Sequence, residues 1–136
     1  MRSVLAVFGG AAIFYVLYGM LETTLVRAIA GMPIQDMAAY LAVRNRSGMT
    51  GAQFVIVPLA GVLAGYMTGR IANVREMFHG AAAALFAAGI LIQEFMTADV
   101  TPHSVLLRAL LVALGGAALI TGAYVRGQAR IVGSQS

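Results

Sequence analysis

The sequence contains no cysteine, no tryptophan and no lysine, and charged residues make up only 10% of its 136 residues. Without cysteine the chain can form neither disulfides nor thiolate metal sites, and it has no thiol for catalysis or palmitoylation. Soluble domains carry roughly 25% charged residues, and hydrophobic residues account for 60% of this chain. The composition therefore favours a protein that is solvated by lipid.

All nine basic residues are arginines, and they stand singly near the ends of apolar runs. Nucleic-acid binding needs a clustered basic face with interleaved aromatic residues. We therefore interpret the arginines as interfacial anchors and topology signals, and we expect no nucleic-acid partner.

Four runs of 17 to 23 residues lack any formal charge. A bilayer core about 30 Å thick requires roughly 20 mostly apolar residues per helix. The runs predict an all-α integral membrane protein that forms one membrane domain over residues 1–136. Its four transmembrane helices are expected at about 3–21, 51–71, 74–95 and 102–125.

Capping patterns precede two of the predicted spans. Thr50 with Gln53, and Asn73 with Glu76, each place an amide or acid three residues after a cap residue. Because these pairs satisfy the free N–H groups at a helix start, we expect spans 2 and 3 to begin there.

The stretch 23–49 neither spans a membrane nor reads as a soluble segment. Within it, 33–46 predicts an amphipathic helix with Met37 and Leu41 on one face and Tyr40 and Arg44 on another. Such a helix is expected to lie flat in the headgroup region, and a re-entrant loop is the alternative. Residues 131–136 read as a free tail.

Small residues recur at four-residue spacing along spans 2 and 3. In an antiparallel pair, facing residues have a constant index sum, and these strips share the sum 149. Because close backbone approach at small residues drives helix association in lipid, we predict a glycine-zipper hairpin of the two spans. The packing residues are Gly61, Gly65 and Gly69 facing Ala88, Ala84 and Gly80.

Span 4 carries a second, weaker strip of small residues. Ala109, Ala113 and Ala117 follow the same four-residue spacing. The strip is suited either to closing a four-helix bundle or to contacting another subunit, and the sequence leaves both open.

Polar residues gather near one predicted interface and form a candidate intramembrane polar site of Glu94, Arg108, His103 and Gln53. Ionisable residues in membrane segments are costly and often mark functional sites. Glu94 and Arg108 are expected to form a structural ion pair. The alternative is a path that carries protons or cations.

The two histidines open consecutive predicted spans and therefore lie on opposite sides of the membrane. His79 and His103 cannot share a haem within one chain, so we expect interfacial histidines and no cofactor. Contact between His103 and a quinone or lipid headgroup is the alternative.

The arginine distribution favours both termini in the cytoplasm. That orientation places five arginines inside and four outside, in line with the positive-inside rule. We expect a multi-pass protein of the bacterial inner membrane.

The sequence favours a non-enzymatic accessory, assembly or stabilising subunit of a larger membrane protein complex, because no nucleophile–base pair or metal cluster is visible. Its expected partners are the lipid bilayer and either other membrane subunits or copies of itself. The alternative is a small homo-oligomeric channel or transporter that uses Glu94 and Arg108.

Overall fold

The computed structural model describes residues 2–31, 36–97 and 105–133, with the side chains of 47 and 94–97 outside the description. These residues form helices and no strands. In chain order the helices are α1 (Arg2–Ala30), α2 (Met37–Arg44), α3 (Ser47–Ala72), α4 (Glu76–Thr97) and α5 (Val105–Gly133).

Four of the five helices are long and apolar enough to cross a membrane. They correspond to the four spans expected from sequence, but α1, α3 and α5 are longer than predicted, α1 most of all. At 1.5 Å per residue, α1 and α5, with 29 residues each, extend about 43 Å. Both therefore exceed a bilayer core about 30 Å thick. The last part of α5 includes residues 131–133, so the helix extends into the predicted tail.

The long helices form a four-membered ring in the order α1, α3, α5, α4. The most extensive contact joins α3 and α5, and α4 lies mainly against α5 and α1. One end of the bundle contains the starts of α1 and α4 and the ends of α3 and α5, and we call it the α3–α4 end. The opposite end carries α2, and we call it the α2 end.

The predicted partner of the glycine strip on α3 is wrong. A Cβ added at Gly65 would overlap the carbonyl oxygen of Leu119 in α5, and one at Gly61 would lie 2.6 Å from the Ala118 Cβ. A Cβ at Gly80 of α4 would lie 2.5 Å from the Ala123 Cβ, also in α5. Thus the nearest neighbours of these glycines lie in α5 and not in each other's helices. Gly69 faces Ala123 and Arg126 of α5, and a Cβ added at Gly116 of α5 would lie 3.9 Å from the Ala84 Cβ. Ala88 is half-buried.

The α3–α5 contact is parallel, because both helices run from the α2 end to the α3–α4 end. Gly65 faces Leu119 and Gly69 faces Ala123, so facing residues differ by a constant index. In α5, a Cβ added at Gly122 would likewise overlap the carbonyl oxygen of Val62 in α3. Glycines of both helices therefore let the two backbones touch.

Two predicted helix starts lie elsewhere. α3 begins at Ser47, one turn before Thr50. Asn73 ends α3 instead of opening α4: its φ of 55° is left-handed, and its N–H donates to the Gly69 carbonyl at 2.9 Å. Left-handed asparagine is a common helix terminator, and a sequence pattern alone does not distinguish it from an N-cap. The predicted start of span 4, at residue 102, lies outside the described residues.

The short helix α2 is capped by Asp36, whose Oδ1 accepts from the Ala39 N–H at 2.7 Å. Its buried Val43 packs with Val26 of α1 and Met49 of α3. The face that carries Tyr40 and Arg44 points at α1, while Met37 is 70% exposed. The helix is thus shorter than the predicted 33–46, and its polar face is turned into the protein.

Candidate functional site

A buried ion pair joins α1 to α2 at the α2 end. Glu22 is 3% exposed and Arg44 is 6% exposed, and the Arg44 Nε lies 2.6 Å from the Glu22 Oε1. A charge-assisted hydrogen bond of this length is strong. The pair compensates the cost of placing two charges where water is excluded.

Two tyrosines extend the ion pair into a cluster of four side chains. The Tyr40 hydroxyl donates to the Glu22 Oε1 at 2.8 Å, and the Arg44 Nη2 donates to the Tyr18 hydroxyl at 3.4 Å. Burial, followed by the hydrogen bond to Glu22, raises the pKa of Tyr40 to about 12. Tyr40 therefore stays a neutral donor at any physiological pH.

The Glu22 carboxylate is only half used. Its Oε2 is buried and accepts no hydrogen bond from the described residues. A buried acceptor without a partner costs about 1–3 kcal/mol. The pair therefore holds α2 against α1.

A second ion pair lies at the α3–α4 end. The Arg130 Nε is 3.0 Å from the Glu76 Oε1, and its Nη1 donates to the Asn73 carbonyl at 2.6 Å. His79 is buried on the first turn of α4, with its Nδ1 3.1 Å from the Arg75 carbonyl oxygen. These contacts tie the end of α5 to the α3–α4 turn.

The candidate polar site predicted from sequence is only partly described. Gln53 is 2% exposed in α3, and Arg108 is half-buried near the start of α5. Glu94 belongs to α4, but its side chain lies outside the described residues, as does all of His103. The predicted Glu94–Arg108 pair therefore stays a prediction.

The structure instead assembles Glu22, Tyr18, Tyr40 and Arg44, which sequence reasoning did not join. Two signals were present: Tyr18 and Glu22 are four residues apart in α1, and Tyr40 and Arg44 are four apart in α2. Residues four apart share a helix face. Each pair thus forms a polar patch, and the two patches are complementary.

The outer face of α5 carries the strip of small residues noted in span 4. Ala109, Ala113 and Ala117 are all exposed, and Thr121 continues the four-residue spacing. The Thr121 hydroxyl donates to the Ala117 carbonyl at 2.9 Å and is therefore satisfied within its own helix. The helix closes the bundle through its other face, with Gly115, Ala118 and Gly122. We call Ala109, Ala113, Ala117 and Thr121 the outer strip.

Comparisons with protein-family models, with curated proteins and with solved structures find no match to this chain.

Proposed function

We propose that this chain is a non-enzymatic accessory, assembly or stabilising subunit of a larger membrane protein complex. The observation that carries the proposal is the outer strip of α5, where a transmembrane partner helix would pack. The strip is exposed over three turns of a helix whose opposite face already closes the bundle.

A partner helix is expected at the outer strip because the driving force for helix association in lipid is otherwise weak. Acyl chains are as apolar as leucine, so helices gain affinity where small side chains let two backbones approach. Inside this bundle Gly65 and Gly122 already provide such contacts. The outer strip offers the same kind of surface to a helix from outside.

The filled interior supports a scaffolding role. Phe14 and Leu119 are fully buried, and Leu111 and Leu91 are 2% and 3% exposed. Both buried glutamates with described side chains, Glu22 and Glu76, form ion pairs that connect helices. Apolar side chains therefore fill the bundle, and the acidic groups hold helices together.

We further propose that the protein lies in a bacterial inner membrane with both termini in the cytoplasm and α2 flat at the outer interface. The exposed Met37 and Ala38 would face the acyl chains there. Cysteines at positions 73 and 45, labelled on intact cells with an impermeant reagent, test this orientation. Labelling at 45 alone agrees with it, and labelling at 73 alone inverts it.

The subunit proposal is tested with two matched variants, Ala113→Leu on the outer strip and Ala12→Leu on the exposed side of α1. Each adds the same bulk to an exposed alanine. After purification from native membranes in mild detergent, mass spectrometry should find stoichiometric foreign subunits with the wild type and with Ala12→Leu. They should be lost with Ala113→Leu. Equal retention by both variants would contradict partner binding at the strip.

The second candidate is a homo-oligomeric channel or transporter with Glu94 and Arg108 on its path. It is favoured by the polar Gln53, buried in α3, because buried polar groups in membrane helices often mark ion paths. A clean homo-oligomer in the same mass measurement, with ion flux in liposomes that Glu94→Gln abolishes without loss of assembly, would favour this function over the first.

A further inference from the structure

A surface cleft of about 430 Å³ opens at the α3–α4 end, between the start of α4 and the last turns of α5. Its lining includes cationic, polar and aromatic side chains. Arg75 and Arg130 are cationic, Gln128 is polar, and Phe78 and Tyr124 are aromatic. Phe78 is 71% exposed and Tyr124 is 47% exposed, so the aromatic surface is open to an occupant.

The cleft has an excess of positive charge. Its one acidic residue, Glu76, is already paired with Arg130. In the described part of the chain this leaves Arg75, which is exposed on the α3–α4 turn, without an acidic partner. The whole α3–α4 end carries five arginines and one glutamate among the described residues, so an anionic ligand would be attracted to it.

The order of side chains along the helices matches the order of groups in a phospholipid. The uncharged run of α4 begins at residue 77, so Arg75 stands just outside the apolar band and Phe78 just inside it. On α5, Tyr124 lies within the uncharged run and Gln128 lies beyond it. The polar groups are therefore at headgroup depth, and the aromatic rings are at the depth where acyl chains begin.

We propose that this cleft binds one anionic phospholipid. Its phosphate accepts hydrogen bonds from Arg75 and Gln128, and the first part of its acyl chain lies against Phe78 and Tyr124. Basic pockets between transmembrane helices recognise anionic headgroups in this way. The charge excess selects an anionic over a zwitterionic lipid, and the apolar wall selects a lipid over a free phosphate.

The matched variants are Arg75→Gln, in the cleft, and Arg70→Gln, an exposed arginine at the same end outside the cleft. Both remove one positive charge. Gln keeps the Cβ of Arg75, whose φ is 48°, so the backbone strain is unchanged. Unchanged thermal midpoints would establish that both variants fold, and Arg75→Lys serves as a third variant that retains the charge.

Native mass spectrometry of the detergent-purified protein, titrated with phosphatidylglycerol or phosphatidylcholine, measures the binding. We expect one tightly held phosphatidylglycerol, about fivefold weaker binding with Arg75→Gln, and near wild-type binding with Arg70→Gln and Arg75→Lys. Equal binding of the two lipids, or equal weakening by Arg70→Gln and Arg75→Gln, would overturn the proposal. Displacement of the lipid by millimolar inorganic phosphate would assign the cleft to free phosphate and would also overturn it.

Discussion

The substitution Gly65→Ala adds one methyl group at the tightest point of the α3–α5 contact. The new Cβ would overlap the Leu119 carbonyl oxygen and lie 2.7 Å from its carbonyl carbon. Backbone atoms cannot rotate away as a side chain can, so the two helices would have to move apart. The stability of this variant therefore shows whether α3 and α5 meet through backbone atoms or only through side chains.

The magnitude follows from two opposing effects. Overpacking of a tight interior costs about 1–3 kcal/mol, and a gap of 0.5–1 Å forfeits a quarter to a half of each dispersion contact along the interface. Alanine regains about 1 kcal/mol through its higher helix propensity. We therefore expect Gly65→Ala to destabilise the protein by roughly 2 kcal/mol, because losses at neighbouring contacts add to the local overlap.

The matched control is Gly89→Ala in α4, where an added Cβ would have no atom within 4 Å. It should stabilise the protein by up to about 1 kcal/mol through helix propensity alone. Thermal unfolding of both variants in mild detergent, followed by circular dichroism, measures the difference. If Gly65→Ala unfolds at the same temperature as Gly89→Ala, the backbone contact between α3 and α5 is refuted.

Three further predictions concern the same bundle. Glu22→Gln should lower the free energy of unfolding by about 3–5 kcal/mol because it leaves Arg44 buried without its counter-charge, whereas Glu22→Gln combined with Arg44→Met should recover much of the loss; denaturant unfolding that shows additive losses would contradict this. Because the folded-state pKa of Tyr40 is raised to about 12, its contribution to stability should be full below pH 10 and lost as the pH rises toward 12. Tyr40→Phe should remove the part of that dependence due to Tyr40, and a pH profile unchanged by the substitution would argue against the raised pKa of Tyr40. Cysteines at 61 and 118 should cross-link, since their Cβ positions, 2.6 Å apart, need to separate by only about 1 Å to reach the roughly 3.8 Å of a disulfide; absence of a disulfide on gels after oxidation would contradict the α3–α5 register.

The number and type of long helices could be predicted from sequence because charge is costly in lipid. Each uncharged run is long enough to span a bilayer core, and helices satisfy every backbone group within the segment. The lengths were underestimated for the same reason. Glu22 interrupts the uncharged run of α1, yet the helix continues to Ala30, and that carboxylate is paired with Arg44.

The partner of the glycine strip could not be predicted from the spacing of small residues. A constant index sum of 149 suits an antiparallel pair of α3 and α4, but a constant index difference suits a parallel pair of α3 and α5 equally well. Four-residue spacing identifies a smooth face and leaves its partner open. The short turn at Asn73 joins α3 to α4 in sequence, while α5 provides the face that Gly65 contacts.

The candidate site was incompletely predicted because its charges are far apart in sequence. Glu22 and Arg44 are separated by 22 positions, and the sequence pattern placed Arg44 only on one face of a helix expected in the headgroup region. An amphipathic pattern shows which residues share a face. It does not show whether a polar face meets water or a buried carboxylate.

The most direct test of the central claim, partner binding on the outer strip of α5, is cross-linking in native membranes. A photoreactive amino acid placed at position 113, or at position 12 as the control, reports what lies against each face. We predict a defined protein adduct from 113, formed in high yield with a membrane protein other than this chain, and only lipid adducts from 12. Lipid adducts alone from both positions would contradict the account.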